Sequence, residues 1–286
     1  MTLAQALQQS AHTLNSNGID DSHIEARIFL GNITNLSPAQ IYTQPERILS
    51  QEQEDNLQDL IERRLCHEPT AYIVKHREFY GIDFYVDSRV LIPRPETELL
   101  VDMALEFAKS SSTYTAKPIL IADIGTGCGA IAVSLAVNLP HNKIYATDIS
   151  LLALEVAKLN CKRHKVTSQI TLLQGNLLEP MPEPIDLLVA NLPYIKSSEL
   201  ATLSPEITKF EPRMAIDGGK TGLDYIYQLL QQARGRINNN GCLLLEIGQN
   251  QEKEITHLIN SCLGKINPEF ISDFNGIKRV VKIDFE

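Results

Sequence analysis

The chain has 286 residues, 43% of them hydrophobic and 21% charged, with a formal net charge of −9. That length carries one large domain plus a small one, no apolar run approaches a membrane span, and the acidic balance disfavours broad non-specific binding to nucleic acid. The five cysteines (Cys66, Cys128, Cys161, Cys242, Cys262) are scattered, odd in number and without a Cys-x-x-Cys pair, which argues for a reduced cytoplasmic protein without a structural zinc site.

Met1 to Gln5 have neither a basic flank nor a long apolar core, so no signal peptide is expected. Residues 1 to about 75 read as a small helical domain. Thr2 with Gln5, and Ser50 with Gln53, have capping-box spacing. Leu3, Leu7 and Leu14, then Leu57, Leu60, Ile61 and Leu65, recur at helical spacing, and Gly18 is a stop. These leucines read as bundle core, and nothing before residue 70 carries obvious chemistry. From Phe79 to Val86 the chain is aromatic and β-prone around a Gly-x-Asp turn signal, predicting a hairpin within a linker at 76–96. Ile92-Pro93-Arg94-Pro95-Glu96-Thr97-Glu98 then holds the chain extended ahead of a helix that Thr97 is placed to cap. Arg94 and Glu98 are either a solvated helix start or the lining of a site.

Residues 111–117 read as a loop. Beyond them strand and helix patterns alternate: Ile119–Asp123, a helix from Ala130, Lys143–Thr147, a helix from Leu151, Gln169–Leu173 and Ile185–Ala190. A helix near Leu223–Arg234, a strand at Cys242–Ile247, a helix near Glu252–Leu263 and two terminal β-prone segments follow. The alternation predicts βαβ units and a doubly wound parallel sheet, an α/β domain spanning 97–286.

Four segments carry site chemistry. Gly125-Thr126-Gly127-Cys128-Gly129 follows the first strand, where glycines permit a tight turn and close approach of a ligand to the backbone. Its spacing is Gly-x-Gly-x-Gly, not the Gly-x-Gly-x-x-Gly of dinucleotide binders. Asp148 closes the second strand, where an acid accepts hydrogen bonds from ribose hydroxyls or caps the next helix. Asn176 follows the third strand and either reaches an adenine edge or serves a turn. After the fourth, Asn191-Leu192-Pro193-Tyr194 sets an amide, exposed carbonyls and an aromatic face where a strand must stop. Together these hold a flat amide or amine by hydrogen bonding and stacking.

The set resembles the class I methyltransferase (Rossmann-like) fold, with Asn191 to Tyr194 similar to the Asn-Pro-Pro-Tyr signature of enzymes that methylate planar nitrogens and departing from it at Leu192. Arg77-Glu78-Phe79-Tyr80-Gly81, the Ile92–Glu98 segment, Glu211-Pro212-Arg213-Met214-Ala215 and Asp217-Gly218-Gly219 before Gly222-Leu223-Asp224 resemble the release-factor glutamine methyltransferase family (HemK/PrmC type) over nearly the whole chain. The resemblance implies S-adenosylmethionine as cofactor, held by Gly125, Thr126, Gly127, Cys128, Gly129, Asp148, Asn176 and Asn191, and no metal. It implies methylation of the glutamine side-chain amide in the Gly-Gly-Gln loop of class I release factors. Asn191 and the Leu192 carbonyl would accept the amide hydrogens, with Pro193 stiffening the turn, Tyr194 packing on the amide, and Arg94 and Glu98 near the substrate. The N-terminal domain would dock the factor. A cytoplasmic monomer touching neither membrane nor nucleic acid is expected.

Other readings compete. An adenine-N6 DNA methyltransferase shares the motif logic but wants a basic target-recognition domain. A ribosomal-protein glutamine methyltransferase would differ in the N-terminal domain and flanking loops. A nicotinamide oxidoreductase has no use for Asn191 to Tyr194, and a non-catalytic binding module would bind cofactor without turnover.

Overall fold

The computed structural model describes residues 1–110 and 118–285; the loop expected at 111–117 lies outside the described residues. The chain divides into two compact units, Met1–Lys75 with Ser204–Phe210, and His76–Leu203 with Glu211–Glu286.

The first unit is helical: α1 Leu3–Ser16, α2 Ser22–Thr34, α3 Pro38–Thr43, α4 Gln51–Leu65 and α5 Thr70–Val74. The capping boxes expected at Thr2/Gln5 and Ser50/Gln53 both form, and a third joins Ser37 to Gln40. Leu3, Leu7, Leu14, Leu57, Leu60 and Ile61 bury together with Phe29 and Leu30. Ser204–Phe210 contributes a short helix, and the buried Arg64 guanidinium donates to Glu25 at 2.6 Å and Glu206 at 2.5 Å. Removing either carboxylate would leave much of a buried charge unmatched.

The second unit opens with a hairpin, β1 Arg77–Phe79 and β2 Ile82–Phe84. It begins two residues before the predicted stretch, because the turn falls on Tyr80 (φ 53°) and Gly81 (φ 67°), both left-handed as a tight hairpin requires. Pro95–Thr97 form one 3-10 turn before α6, Glu98–Ser110. There follow β3 Leu120–Ile124, α7 Ala130–Asn138, β4 Lys143–Asp148, α8 Leu151–Arg163, β5 Ile170–Gln174 and β6 Ile185–Ala190. After the α9 helix, Pro205–Phe210, which belongs to the first unit, come α10 Asp224–Ala233, β7 Ile237–Glu246, α11 Glu252–Leu263, β8 Glu269–Ser272 and β9 Lys278–Asp284.

Among the described residues the large sheet runs β5-β4-β3-β6-β7-β9-β8, parallel from β5 to β7, with β9 antiparallel to both its neighbours. This is the doubly wound α/β arrangement that the alternation of strand and helix patterns predicts. β7 starts five residues earlier than predicted: Ile237 pairs with Ile185, carrying the β-poor Asn238 to Asn240 into the strand. The central strands read as continuous apolar runs because helices cover both faces, and Ile124, Leu188, Leu243 and Leu245 are fully buried. No described helix is long and apolar enough to cross a membrane.

Register aligns the strand ends. Ile124 pairs with Thr147 on one side and Ala190 on the other, Asp148 pairs with Gln174, and Ala190 pairs with Leu245. The chain therefore leaves β3, β4, β5 and β6 along one carboxyl edge, where open α/β sheets bind ligands.

Candidate active site

A cleft with about 870 Å³ of empty space opens at that edge. Gly125, Gly127, Asp148, Asn176, Asn191, Leu192 and Pro193 line it, together with Ile149 and Met214, so segments as far apart in sequence as Gly125 and Met214 meet in one cleft.

The glycine turn is bound to the neighbouring strand. The amides of Gly125 and Thr126 both donate to the Thr147 carbonyl at 2.9 Å, and Gly127 donates to Asp148 Oδ2 at 2.9 Å. Gly127 has φ 57°, and a Cβ there would meet nothing within 4 Å, so the backbone itself faces open space. Thr126 and Cys128 are buried, and neither they nor Gly129 line the cleft. Thr126 donates its hydroxyl to Asp123 Oδ2 at 2.6 Å, which also accepts the Ala132 amide at 3.1 Å. Burial pushes the Asp123 carboxyl up to about 7, and burial likewise pushes the Cys128 thiol up to about 12. Asn160, fully buried, donates to the Cys128 carbonyl at 2.8 Å and exchanges bonds with the backbone of Tyr85.

Asp148 is not the cap of α8. Ser150 is, accepting the Ala153 amide, while Asp148 Oδ1 accepts the Ser150 amide at 2.9 Å. Burial raises the Asp148 carboxyl above its usual range, opposed by the amides of Ser150, Gly127 and Ile149. Each oxygen keeps a lone pair for a ligand hydroxyl. Asn176 lines the cleft and donates to Glu179 at 3.2 Å.

Around the motif loop the packing is close. Leu192 is buried in the sheet core, its side chain against Gly125. Gln251 donates to the Tyr194 carbonyl at 2.9 Å and accepts from the Gly248 amide. Asn191 Nδ2 donates to Thr97 Oγ1 at 3.0 Å, Thr97 donates to Glu246 Oε2 at 2.6 Å, and the Tyr194 hydroxyl donates to Glu246 Oε1 at 3.2 Å. Burial raises the Tyr194 phenol, and the neighbouring Glu246 adds to it. Thr97 thus corrects the helix-cap expectation: its hydroxyl is committed to Glu246 and Asn191. The sequence reading missed Glu246 altogether, although an acid closing the apolar run Cys242–Leu245 was a visible signal.

Two expected substrate residues stand elsewhere. Glu98 does not line the cleft; it accepts the Tyr80 amide at 2.9 Å and so holds the hairpin turn. Arg94 donates to the buried Glu211 at 2.5 Å, which also accepts the Ile92 amide at 3.4 Å. That pair anchors the segment whose next residues, Pro212, Met214 and Ala215, form a wall of the cleft.

Residues 5–74 match the PrmC N-terminal domain and residues 107–208 the methyltransferase small domain. The chain is 38% identical to the release factor glutamine methyltransferase of Moorella thermoacetica over 280 residues, covering 98% of this chain and 97% of that one. It is 35% identical to the protein of the same name from Chlorobaculum tepidum, covering 91% and 90%. Among solved structures, the hMettl16 catalytic domain in complex with a 3′UTR hairpin superposes with a TM-score of 0.55 at 16% identity, covering 80% of this chain and 82% of that one. A methyltransferase from Pyrococcus furiosus gives 0.51 at 17% identity, covering 80% and 98%. At such identities these two speak for the fold alone.

Proposed function

The chain belongs to the release factor glutamine methyltransferase family, and from that premise we propose that it methylates the side-chain amide nitrogen of the glutamine in the Gly-Gly-Gln loop of class I peptide release factors. S-adenosylmethionine, the methyl donor of this fold, supplies an electrophilic methyl on a sulfonium when bound. The cleft fits it. The bare backbone at Gly127 would accommodate the amino-acid part, the Asp148 carboxylate has lone pairs for the ribose hydroxyls, and Asn176 would serve the adenine.

Asp148 is the first test of that fit. Asp148→Ala should weaken S-adenosylmethionine binding by about 100-fold in calorimetry, the loss of two charge-assisted hydrogen bonds. Unchanged affinity would remove the ribose role.

A glutamine amide nitrogen is a poor nucleophile, since its lone pair is delocalised into the carbonyl. The chain's task is to hold the NH₂ by its hydrogens, so that positive charge is favoured on nitrogen as the new bond forms. One observation carries this reading. With Nδ2 donating to Thr97, Asn191 keeps Oδ1 as a hydrogen-bond acceptor at the cleft, with no partner among the described residues. The Leu192 carbonyl is the second acceptor, so a leucine in place of the usual proline retains the chemistry. Tyr194 does not itself line the cleft; it is tethered beside Pro193 through its hydroxyl and its carbonyl, and in this reading its ring packs on the flat amide. Alignment of this kind is worth on the order of 7–11 kcal/mol in favourable cases and calls for no strong general base.

The helical unit of residues 1–75 docks the protein substrate in this reading, since it carries no site motif of its own. Labelled methyl from S-adenosylmethionine should appear on a purified class I release factor and not on its loop Gln→Ala variant. A chain lacking residues 1–75 should keep cofactor affinity and lose transfer to the intact factor. Labelling of the Gln→Ala factor would reject the target residue, and undiminished transfer by the shortened chain would reject the docking role.

A further inference from the structure

Behind Asn191, away from the cleft lining, stand two buried groups that the chemistry above does not use directly, Thr97 and Glu246. We propose that they are positioning residues which decide which end of the Asn191 side-chain amide meets the substrate. The inference rests on the reading in which Asn191 accepts a hydrogen from the target amide.

The oxygen and nitrogen of an Asn amide are nearly the same size, so a half-turn about the last side-chain bond exchanges them without steric penalty. Only hydrogen bonding distinguishes the two states. A hydroxyl has one proton. Thr97 Oγ1 lies 2.6 Å from Glu246 Oε2 and 3.0 Å from Asn191 Nδ2. An ionised carboxylate only accepts, so the Thr97 proton goes to Glu246, and the hydroxyl turns a lone pair toward Asn191. That lone pair tolerates Nδ2 and repels Oδ1. In the reversed state oxygen would face oxygen at Thr97, and an NH₂ would face the NH₂ of the target. Glu246 thereby transmits its charge through one hydroxyl into the polarity of the cleft wall. The Tyr194 hydroxyl donates to the other carboxylate oxygen, so one buried acid orders both ends of the motif.

The strand order makes this possible. Ala190 pairs with Leu245, which sets the next residue of β7, Glu246, beside the loop that begins at Asn191. The prolines at 93 and 95 bring Thr97 to the same place from a distant part of the sequence.

The groups around Glu246 are Thr97 and Glu96 on the 3-10 turn, Tyr194 on the motif loop and Arg279 on β9. Burial pushes the Glu246 carboxyl up to about 7, the Thr97 and Tyr194 hydrogen bonds and the Arg279 charge hold it down, and Glu96 adds to the rise. The sign for activity follows. Below about pH 7 a protonated Glu246 donates to Thr97, the hydroxyl proton is released toward Asn191, and the reversed amide becomes allowed. Turnover should therefore fall as pH drops through this range.

The test uses the full chain, a class I release factor and S-adenosylmethionine. Thr97→Val should lower kcat by about 100-fold, the effect of losing one preorganised polar contact, with the cofactor Kd within about threefold of wild type. Thr97→Ser should recover most of the loss. Glu246→Gln, whose NH₂ can donate to Thr97, should lower kcat and remove the acid limb of the pH profile near 7. A second readout needs no substrate. The Asn191 side-chain NH₂ signals, assigned by their loss in Asn191→Ala, should exchange slowly with solvent in the wild type and Thr97→Ser, and quickly in Thr97→Val. Equal exchange in all three, a Thr97→Val kcat near wild type, or an acid limb intact in Glu246→Gln would overturn the inference. Absence of transfer by the wild type with the exchange pattern as described would instead reject the release-factor reading and uphold the orientation of Asn191.

Discussion

Asn191→Ala is expected to lower the single-turnover rate of methyl transfer by about 10³-fold, roughly 4 kcal/mol of transition-state stabilisation. S-adenosylmethionine affinity should fall by no more than about tenfold, because Gly127, Asp148 and Asn176 line the same cleft and remain. The reason is the split role of the amide. Nδ2 is spent on Thr97, so only Oδ1 is offered to a ligand, and alanine removes the single acceptor the side chain brings. Asn191→Asp should rescue little, although it restores an oxygen in the same shape. The one proton of the Thr97 hydroxyl already serves Glu246, so a second carboxylate on its other side would be repelled. Rapid-quench measurement beside calorimetry separates the two effects. A rate within tenfold of wild type for Asn191→Ala, with cofactor bound, would remove this side chain from the chemistry.

What the sequence disclosed, and what it could not, follows from the range of the interactions. β6 was legible to the residue, because the apolar run from Leu187 to Ala190 ends abruptly at a polar residue before a proline. Capping boxes are equally local, and both expected ones form. The gathering of Gly125, Asp148, Asn176 and Asn191 at one edge followed from the βαβ rhythm, since parallel strands release their carboxyl ends on one side. Thr97 shows where that kind of reading stops. A threonine just ahead of a helix most often caps it, and nothing within ten residues says that this one bonds to a strand end 149 residues on. Glu98, one residue away, has the same local character, yet it turns to the hairpin and not to the cleft. Arg64 and Glu206, 142 residues apart, meet only because α9 returns to the helical unit. Local pattern names the strands and their ends. The side chains that set the orientation of a reacting group come from elements whose meeting depends on the strand order, and a single sequence states that order only by analogy.

Gly218→Ala is expected to disable the enzyme by displacing the motif loop, with no contact to the cofactor. A Cβ at this position would sit 2.7 Å from the Pro193 carbonyl oxygen, 2.8 Å from the Gly222 oxygen and 2.9 Å from Tyr194 Cα. All of these are backbone atoms, so no side-chain rotation relieves the clash. Gly218 also donates to the Ile195 carbonyl at 2.7 Å, within a short parallel bridge between Ile195 and Asp217. The segment from Asp217 onward is therefore the floor on which Pro193 and Tyr194 rest. A methyl group can enter only if that floor and the loop separate, and a misplacement of about 1 Å at a reacting group costs on the order of 100-fold in rate. The overpacking itself should lower stability by about 1–3 kcal/mol. Gly276→Ala separates the two consequences. Gly276 has φ 76° and open space around its Cβ position, far in sequence from the motif. Alanine there should cost about 1–2 kcal/mol through its left-handed backbone and leave kcat unchanged. Thermal unfolding with steady-state kinetics on both variants decides the matter. If Gly218→Ala loses stability to the same degree as Gly276→Ala yet keeps its turnover, the loop does not depend on this floor. A hundredfold loss of kcat confined to Gly218→Ala would mean that the reacting geometry is held by backbone packing as much as by the side chains of the motif.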